Sequence, residues 1–232
     1  MSPDRTQTFF HKYANDFDAI YGNQNGPIDR VINRLFRKSM RLRFEKSIAG
    51  CNPIEGKSVL DVGCGPGHYS ITLAQRGAAR VVGIDFAEGM LQLATEHSKK
   101  VGVGDRCKFM VADFYQYVPQ ELFDYVIVMG FMDYMPDPEK VVAKVLSLTK
   151  DKAFFSFPVA GGLLGWQRSM RYKKRCDLFL YTERQLKQIF SQFPEATATI
   201  EPISRDFFVT LARNRKASLG KAHRLAKPRG RG

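Results

Sequence analysis

The chain has 232 residues, of which 44% are hydrophobic and 25% are charged, and its formal net charge is +13. This length and composition are typical of one globular domain and exclude a chain that is disordered throughout. No apolar run approaches the roughly 20 residues that cross a bilayer, and the first residues lack the layout of a signal peptide, so we expect a cytoplasmic protein.

The positive charge is concentrated at the C-terminal end. Eight Lys and Arg residues and no acidic residue follow Asp206, so only about +5 of the +13 belongs to the rest of the chain. A nucleic-acid partner, which a basic chain favours, is therefore weakly supported. The four cysteines, at positions 51, 64, 107 and 176, show neither CxxC spacing nor a His cluster, which predicts free thiols and no metal site.

The first predicted elements are two helices. Apolar residues recur at spacings of three and four from Phe9 to Tyr21, and a Gly- and Asn-rich turn separates them from a basic, amphipathic helix over Ile28–Ile48. We interpret residues 1–49 as a helical lid, 50–215 as the main domain and 216–232 as a basic, disordered tail.

From Lys57 onward, short apolar runs alternate with helical stretches, which indicates βα units that feed a parallel sheet. The predicted strands are Ser58–Val62, Arg80–Ile84, Lys108–Ala112, Tyr125–Met129 and Ala153–Phe157. The predicted helices are Tyr69–Arg76, Gly89–Val101 and Pro138–Leu148, the last with Asp137 as its N-cap.

The end of the chain breaks the alternation. A helix is predicted to begin near Thr182 with a capping box to Gln185, and two strands follow at Thr197–Pro202 and Asp206–Ala212. Strands joined by so few residues pair antiparallel. The predicted fold class is α/β: a Rossmann-like, doubly wound sheet of seven strands, mostly parallel, with a C-terminal antiparallel hairpin and an N-terminal helical cap.

The loop after the first strand carries Gly63, Gly65 and Gly67 as GxGxG, whereas the dinucleotide fingerprint GxGxxG needs its third Gly where His68 stands. Glycines allow a ligand to approach the backbone closely, although alone they also fit a tight turn without ligand. Asp61, inside the strand, could receive the ammonium group of a cationic ligand.

Two further strands end on carboxylates. Asp85 stands where a carboxylate could accept both hydroxyls of a ribose, and Asp113 with Phe114 offers an acceptor for an exocyclic amine beside an aromatic ring. Asp113 alone would be read as a turn residue. Open α/β sheets bind ligands at the carboxyl ends of their strands, so these groups are expected to share one site.

With these motifs, the segment from about Lys57 to Pro158 resembles the class I S-adenosylmethionine (SAM)-dependent methyltransferase family. The resemblance implies that the three glycines pass under the methionine moiety, that Asp85 holds the ribose and that Asp113 and Phe114 hold the adenine. The full predicted cofactor-binding set is Asp61, Gly63, Cys64, Gly65, Gly67, Asp85, Phe86, Met90, Asp113, Phe114 and Met129.

The acceptor is expected beyond the fourth strand, within Phe123–Pro136. That stretch lacks the [DNS]-P-P-[YFW] tetrapeptide of nucleic-acid amino-methyltransferases, and no Cys in the chain follows a Pro. The layout is most similar to the small-molecule O-methyltransferases of the ubiquinone and magnesium-protoporphyrin kind. Many of those have an acidic residue and, four positions later, a His, where this chain has Gly130 and Tyr134.

The sequence therefore predicts a SAM-dependent enzyme that methylates a small molecule, with oxygen the favoured atom. Tyr134 and His11 are the candidate catalytic residues, although Tyr134 could equally be a wall of the pocket. A basic cluster over 168–175 either grips an anionic acceptor or is a solvated face. The alternatives are an RNA-modifying methyltransferase that uses its basic patches and a SAM-binding subunit without activity.

Overall fold

The computed structural model describes residues 27–161 and 178–214, with side chains from residue 37 onward. Four predicted features lie outside the described residues: the first helix, His11, the basic cluster at 168–175 and the tail at 216–232.

The helices are α1 (Pro27–Gly50), α2 (His68–Gln75), α3 (Glu88–Lys100), α4 (Pro138–Leu148) and α5 (Glu183–Ser191), with a 3₁₀ turn at Met132–Tyr134. The strands are β1 (Ser58–Val62), β2 (Arg80–Asp85), β3 (Cys107–Val111), β4 (Phe123–Val128), β5 (Thr149–Pro158), β6 (Ala196–Ile203) and β7 (Asp206–Arg213).

The seven strands form one sheet in the order β3-β2-β1-β4-β5-β7-β6. Strands β1 to β5 pair parallel, whereas β7 pairs antiparallel with both β5 and β6. This confirms the predicted fold class, including the C-terminal hairpin. β7 lies between β5 and β6, so the last strand of the chain is inside the sheet and β6 forms its edge.

Strand β5 is longer than predicted. Its first residues, Thr149–Lys152, pair with β4 across an irregularity between Phe123 and Tyr125. They carry Lys150, Asp151 and Lys152, which are exposed or half-buried, so no apolar pattern marks them as a strand. Backbone pairing alone extends β5 toward α4.

The ends of two helices test the capping predictions. Thr182 and Gln185 form the predicted capping box at the start of α5, where the Thr182 hydroxyl accepts from Gln185 N and the Gln185 side chain accepts from Thr182 N. Asp137 occupies the N-cap position of α4, but its side chain accepts no capping hydrogen bond and pairs with Lys140 Nζ at 2.8 Å instead. The predicted N-cap position of Asp137 is therefore confirmed, although its side chain makes no capping hydrogen bond.

Helices cover both faces of the sheet, because alternate residues of each strand point to opposite sides. Leu60 and Phe155 belong to the cluster that includes residues of α4 and α5, whereas Val59 and Phe154 belong to the cluster on the other face. α1 contributes Ile48 to that second cluster. The predicted boundary near residue 49 stays a prediction, but this end of α1 is part of the core.

Within residues 27–161 and 178–214, no helix is long and apolar enough to cross a membrane.

Candidate active site

The glycine loop joins β1 to α2 at the centre of the sheet. Gly63, Gly65 and Gly67 have φ angles of +66°, +50° and +79°, in the left-handed region that side chains rarely adopt. The amides of Gly63 and Cys64 donate to Ile84 O at 2.9 and 3.1 Å. The loop is thereby held against the end of β2, where Asp85, the residue predicted to bind the ribose, lies.

Gly65 and Gly67 have different surroundings. A Cβ at Gly67 would lie 3.0 Å from Ala94 Cβ and 3.1 Å from Phe109 Cζ, so this glycine lets α2 pack closely against its neighbours. A Cβ at Gly65 would meet no described heavy atom within 4 Å. Gly65 therefore borders open space, as the predicted passage of a ligand over the loop requires.

Asp85 lies at the end of β2 with its carboxylate fixed by two backbone amides. Oδ2 accepts from Gly65 N and Oδ1 accepts from Ala87 N, both at 2.9 Å. A carboxylate has about four lone-pair positions, so it can accept more than two hydrogen bonds. The arrangement suits two neighbouring hydroxyl donors.

Asp113 and Phe114 follow β3. The Asp113 side chain is exposed, with Oδ1 accepting from Tyr115 N at 2.7 Å and Oδ2 from Gln116 Nε2 at 3.3 Å. Phe114 is only 6% exposed and packs edge-on against Phe131, with ring centroids 5.4 Å apart. Most of the Phe114 ring therefore belongs to the core and does not form an open aromatic face.

Asp61 lies behind the glycine loop. It is 2% exposed and accepts a hydrogen bond from Ser70 Oγ at 2.7 Å. Burial raises the pKa of its carboxyl to about 7, the bond from Ser70 opposes that rise, and the negative charge of Asp85 adds to it. The group therefore changes its charge near neutral pH.

The remaining predicted cofactor residues surround this centre. Cys64 and Met90 are buried, and Phe86 and Met129 are half-buried. Burial raises the pKa of the Cys64 thiol far above its ordinary value, so the thiol stays protonated. Cys51, Cys64 and Cys107 are free, as predicted.

The backbone that follows β4 lies directly against the glycine loop. A Cβ at Gly63 would be 3.2 Å from Phe131 Cδ2. Tyr134 ends the 3₁₀ turn after Phe131 and is half-buried, so the structure brings this candidate catalytic residue to the same edge of the sheet as the three glycines.

Two aromatic residues that precede α5 hold this turn in place. Phe179 N donates to Asp133 O at 2.9 Å, and the Tyr181 hydroxyl is 3.4 Å from Met132 O and 3.3 Å from Met135 O. Burial raises the pKa of the Tyr181 phenol, so the hydroxyl keeps its proton and can donate. The chain beyond β5 thus shapes the predicted acceptor side.

A set of buried polar residues near Gly130 was not predicted from the sequence. We call Ser39, Arg43, Ser156 and Asp206 the polar cluster; they are 1%, 8%, 0% and 2% exposed. Ser156 Oγ accepts from Gly130 N at 2.8 Å and from Arg43 Nη1 at 3.2 Å. Arg43 Nε lies 3.6 Å from Asp206 Oδ2, to which Ser39 also donates.

The members of this cluster on α1 share their spacing with Ser47. Ser39, Arg43 and Ser47 recur every four residues of α1, and all three are buried. Polar residues at helical spacing ordinarily form the solvent face of an amphipathic helix, so the sequence pattern alone does not predict their burial. Their partners, 113 and 167 residues away in the chain, carry no predictive pattern either.

Among the described residues there is no group of three or more His, Cys, Asp or Glu side chains that could hold a metal ion.

Comparison with known proteins gives a consistent result. Residues 54–161 match the family model described as a methyltransferase domain. The ubiquinone biosynthesis O-methyltransferase of Neisseria meningitidis serogroup C (strain 053442) is 39% identical over 113 residues, which cover 47% of this chain and 47% of that protein. The protein of the same name from Shewanella sp. (strain ANA-3) is 34% identical over 118 residues, which cover 51% and 49%. The chain thus spans about half the length of the curated relatives it matches.

A solved structure extends the likeness in fold. Magnesium protoporphyrin IX methyltransferase from Synechocystis PCC 6803, crystallised with bound S-adenosylhomocysteine (SAH), superposes with a TM-score of 0.70 and 20% sequence identity. The superposition covers 90% of this chain and 100% of that one. At this identity the likeness concerns the fold, which agrees with the strand order described above.

Proposed function

We propose that this protein transfers the methyl group of SAM to a small-molecule acceptor, at oxygen, since residues 54–161 match a methyltransferase-domain model. The observation that carries the proposal is the Asp85 carboxylate, fixed by two backbone amides beside Gly65, which borders open space. SAM is a nucleoside with an attached amino acid. Such a ligand requires a fixed acceptor for its ribose hydroxyls, next to backbone that carries no side chain.

The residues present fit SAM. Asp85 would hold its ribose, the backbone around Gly65 would lie along its methionine part, and Asp61, in the ionised form that it adopts above its pKa of about 7, would face its ammonium group. When bound, SAM supplies a methyl group on a positively charged sulfur. The exposed carboxylate of Asp113 would accept from the adenine amine.

The acceptor side is proposed at the end of β4. Methyl transfer is an in-line displacement, so the protein must align the acceptor with the donor site and, for a hydroxyl, remove a proton. We propose that Tyr134 contacts the acceptor; the support is that its turn follows Phe131, which packs over Gly63. His11 remains a proposed base outside the described residues.

We propose further that the acceptor is a small, anionic molecule and that the protein acts in the cytoplasm. The names of the relatives above support a small acceptor. The RNA-modifying alternative gains little from the described residues, because one of the exposed basic residues of α1, Arg41, already pairs with Glu45 at 3.1 Å.

The test is to incubate the purified full chain with SAM and a fractionated metabolite extract. We expect SAH to form and one metabolite to gain 14 mass units, and we expect neither with Asp85→Ala. Methyl transfer to RNA with no change in any metabolite would contradict the proposal. So would intact SAM binding without turnover on any fraction, which would favour the subunit without activity.

A further inference from the structure

Arg43 carries its positive charge into the interior of the molecule, at the acceptor side of the sheet. It is 8% exposed, although Arg is rarely so buried unless it is paired. Its guanidinium makes two contacts to described residues: the hydrogen bond to Ser156 Oγ and the ion pair with Asp206. A guanidinium has five N–H donors, and among the described residues the buried Nε has no hydrogen-bond partner, because Asp206 Oδ2 lies 3.6 Å away. Buried donors are normally satisfied, which suggests that a ligand completes this site.

The Nη1 end of the guanidinium borders a space next to Gly130 that no other described residue fills. A Cβ at Gly130 would lie 3.6 Å from Arg43 Nη1 and would meet no other described heavy atom within 4 Å. Gly130 has a φ of +69° and is fixed by its bond to Ser156 Oγ. Because residue 130 has no side chain, the volume in front of the guanidinium stays unfilled by this part of the backbone.

This space lies beside the proposed methyl-donor site. Gly130 is followed by Phe131, which packs over Gly63 of the glycine loop. On the other side, Arg43 is close enough to Tyr69, the second residue of α2, to lower the pKa of its phenol, against the burial that raises that pKa to about 12. Arg43 therefore stands between the glycine loop and the end of β4.

The polar cluster limits the charge of a ligand. Asp206 offsets the charge of Arg43 and Ser39 donates to the same carboxylate, so the cluster is close to neutral and disfavours a dianion more strongly than a monoanion. A carboxylate matches the parallel N–H groups of a guanidinium with its two oxygens. A neutral group would leave part of that fork unsatisfied.

We propose that Arg43 binds a carboxylate of the acceptor in the open space beside Gly130 and so selects acceptors that carry one. This inference rests on the proposed function, since the acceptor side is defined by the methyl-donor site. It assigns specificity to α1 and leaves the chemistry of methyl transfer to other residues.

The decisive variants change Gly130. Replacing Arg43 with an uncharged residue would leave Asp206 buried without its ion pair and would destabilise the protein. Gly130→Asp and Gly130→Asn add side chains of equal size, and Asp and Asn tolerate left-handed φ angles better than other residues with a Cβ. Of the two variants, Asp alone presents a carboxylate to Arg43. Arg43→Lys is a third variant, which keeps the charge beside Asp206 but loses the planar fork.

The measurement is calorimetric titration of the SAH-loaded full chain with benzoate and, separately, with benzamide. We expect benzoate to bind the unmodified protein at least about tenfold more tightly than benzamide. Gly130→Asn fills part of the space and should weaken benzoate binding, Gly130→Asp also places a carboxylate beside Arg43 and should weaken it further, and Arg43→Lys should reduce the preference for benzoate. Equal affinities for benzoate and benzamide, no benzoate binding, or unchanged benzoate affinity in Gly130→Asp would overturn the inference. Titration with SAH alone separates the two proposals, because failure to bind SAH contradicts the methyltransferase function and not merely the role of Arg43.

Discussion

Asp85 is oriented by the amides of Gly65 and Ala87 rather than by other side chains. Replacing it with Ala removes an acceptor for two hydroxyls and leaves both amides without their partner. We expect Asp85→Ala to weaken the binding of SAH by about 1–3 kcal/mol, the cost of unsatisfied polar groups. Calorimetry measures the change, and Asp105→Ala, an exposed aspartate before β3, is the control. Unchanged affinity would remove Asp85 from the site.

Gly65 and Gly67 should respond differently to the same substitution. Both adopt a left-handed φ, which costs a residue with a Cβ about 1–2 kcal/mol. Gly67→Ala also brings its Cβ within 3.0 Å of Ala94 Cβ, so we expect the larger loss of unfolding free energy there. Gly65→Ala projects its methyl group into open space, so we expect the larger loss of SAH affinity there. Urea denaturation and calorimetry on both variants test this contrast, which equal losses would contradict.

Asp61 should make stability depend on pH. Its pKa is about 7 in the folded chain against an ordinary value of 3.8, so between those pH values the folded state binds more protons than the unfolded state. The contribution of this group to stability is therefore complete below about pH 4 and is lost as the pH rises through about 7.

Asp61→Asn removes this titration while it keeps an oxygen for the bond from Ser70. We expect the variant to gain stability relative to the unmodified protein as the pH rises from 4 to 7. Urea denaturation at a series of pH values measures the difference, with Asp105→Asn as the control. A difference that does not change with pH would contradict the assignment.

Helix α5 depends on its capping box. The Thr182 hydroxyl accepts from Gln185 N at 3.3 Å, and the helix buries Leu186, Ile189 and Phe190. We expect Thr182→Ala to lower the unfolding free energy by about 0.5–2 kcal/mol, whereas Thr182→Ser keeps the hydroxyl and should cost less. Urea denaturation of both variants gives the comparison. Equal effects would show that the methyl group of Thr182, and not its hydroxyl, stabilises the helix.

The sequence of the hairpin strands contains a signal for their order in the sheet. β7 reads as a nearly continuous apolar run and is buried, whereas residues of β6 are mostly exposed or half-buried, as on an edge strand. The short connection between them predicts only that they pair antiparallel. The burial pattern is what identifies β7 as the inner strand.

Among the described residues, two ion pairs join α1 to the hairpin of β6 and β7. They should contribute differently to the free energy of unfolding. Arg43 and Asp206 are almost fully buried, whereas Lys46 and Glu201 are about one-third to one-half exposed. Asp206→Asn leaves the Arg43 charge uncompensated in the interior, and we expect a loss of roughly 3–5 kcal/mol of unfolding free energy. Glu201→Gln should cost at most about 1 kcal/mol. Losses of the same size in urea denaturation would contradict this difference between a buried and an exposed pair.

The sequence by itself determined the βα alternation, the glycine loop, the position of Asp85 at a strand end and the capping box of α5. These features rest on signals within about 20 residues: apolar periodicity, glycine spacing and cap chemistry. The exact start of β5 and the pairing of the Asp137 side chain with Lys140 in place of a capping hydrogen bond escaped prediction, because a backbone ladder and a nearby cation decided them.

Only the tertiary structure decided how the two sides of the candidate site are built. Phe131 packs over Gly63, and the polar cluster joins α1 to β5 and β7 across 113 and 167 residues of chain. Such contacts exist only once the sheet has formed, because no local pattern indicates which distant side chain will accept a hydrogen bond from a buried Arg. The sequence therefore predicts the residues on the methyl-donor side of the site. The fold decides the surroundings of Arg43, on which the proposed choice of acceptor depends.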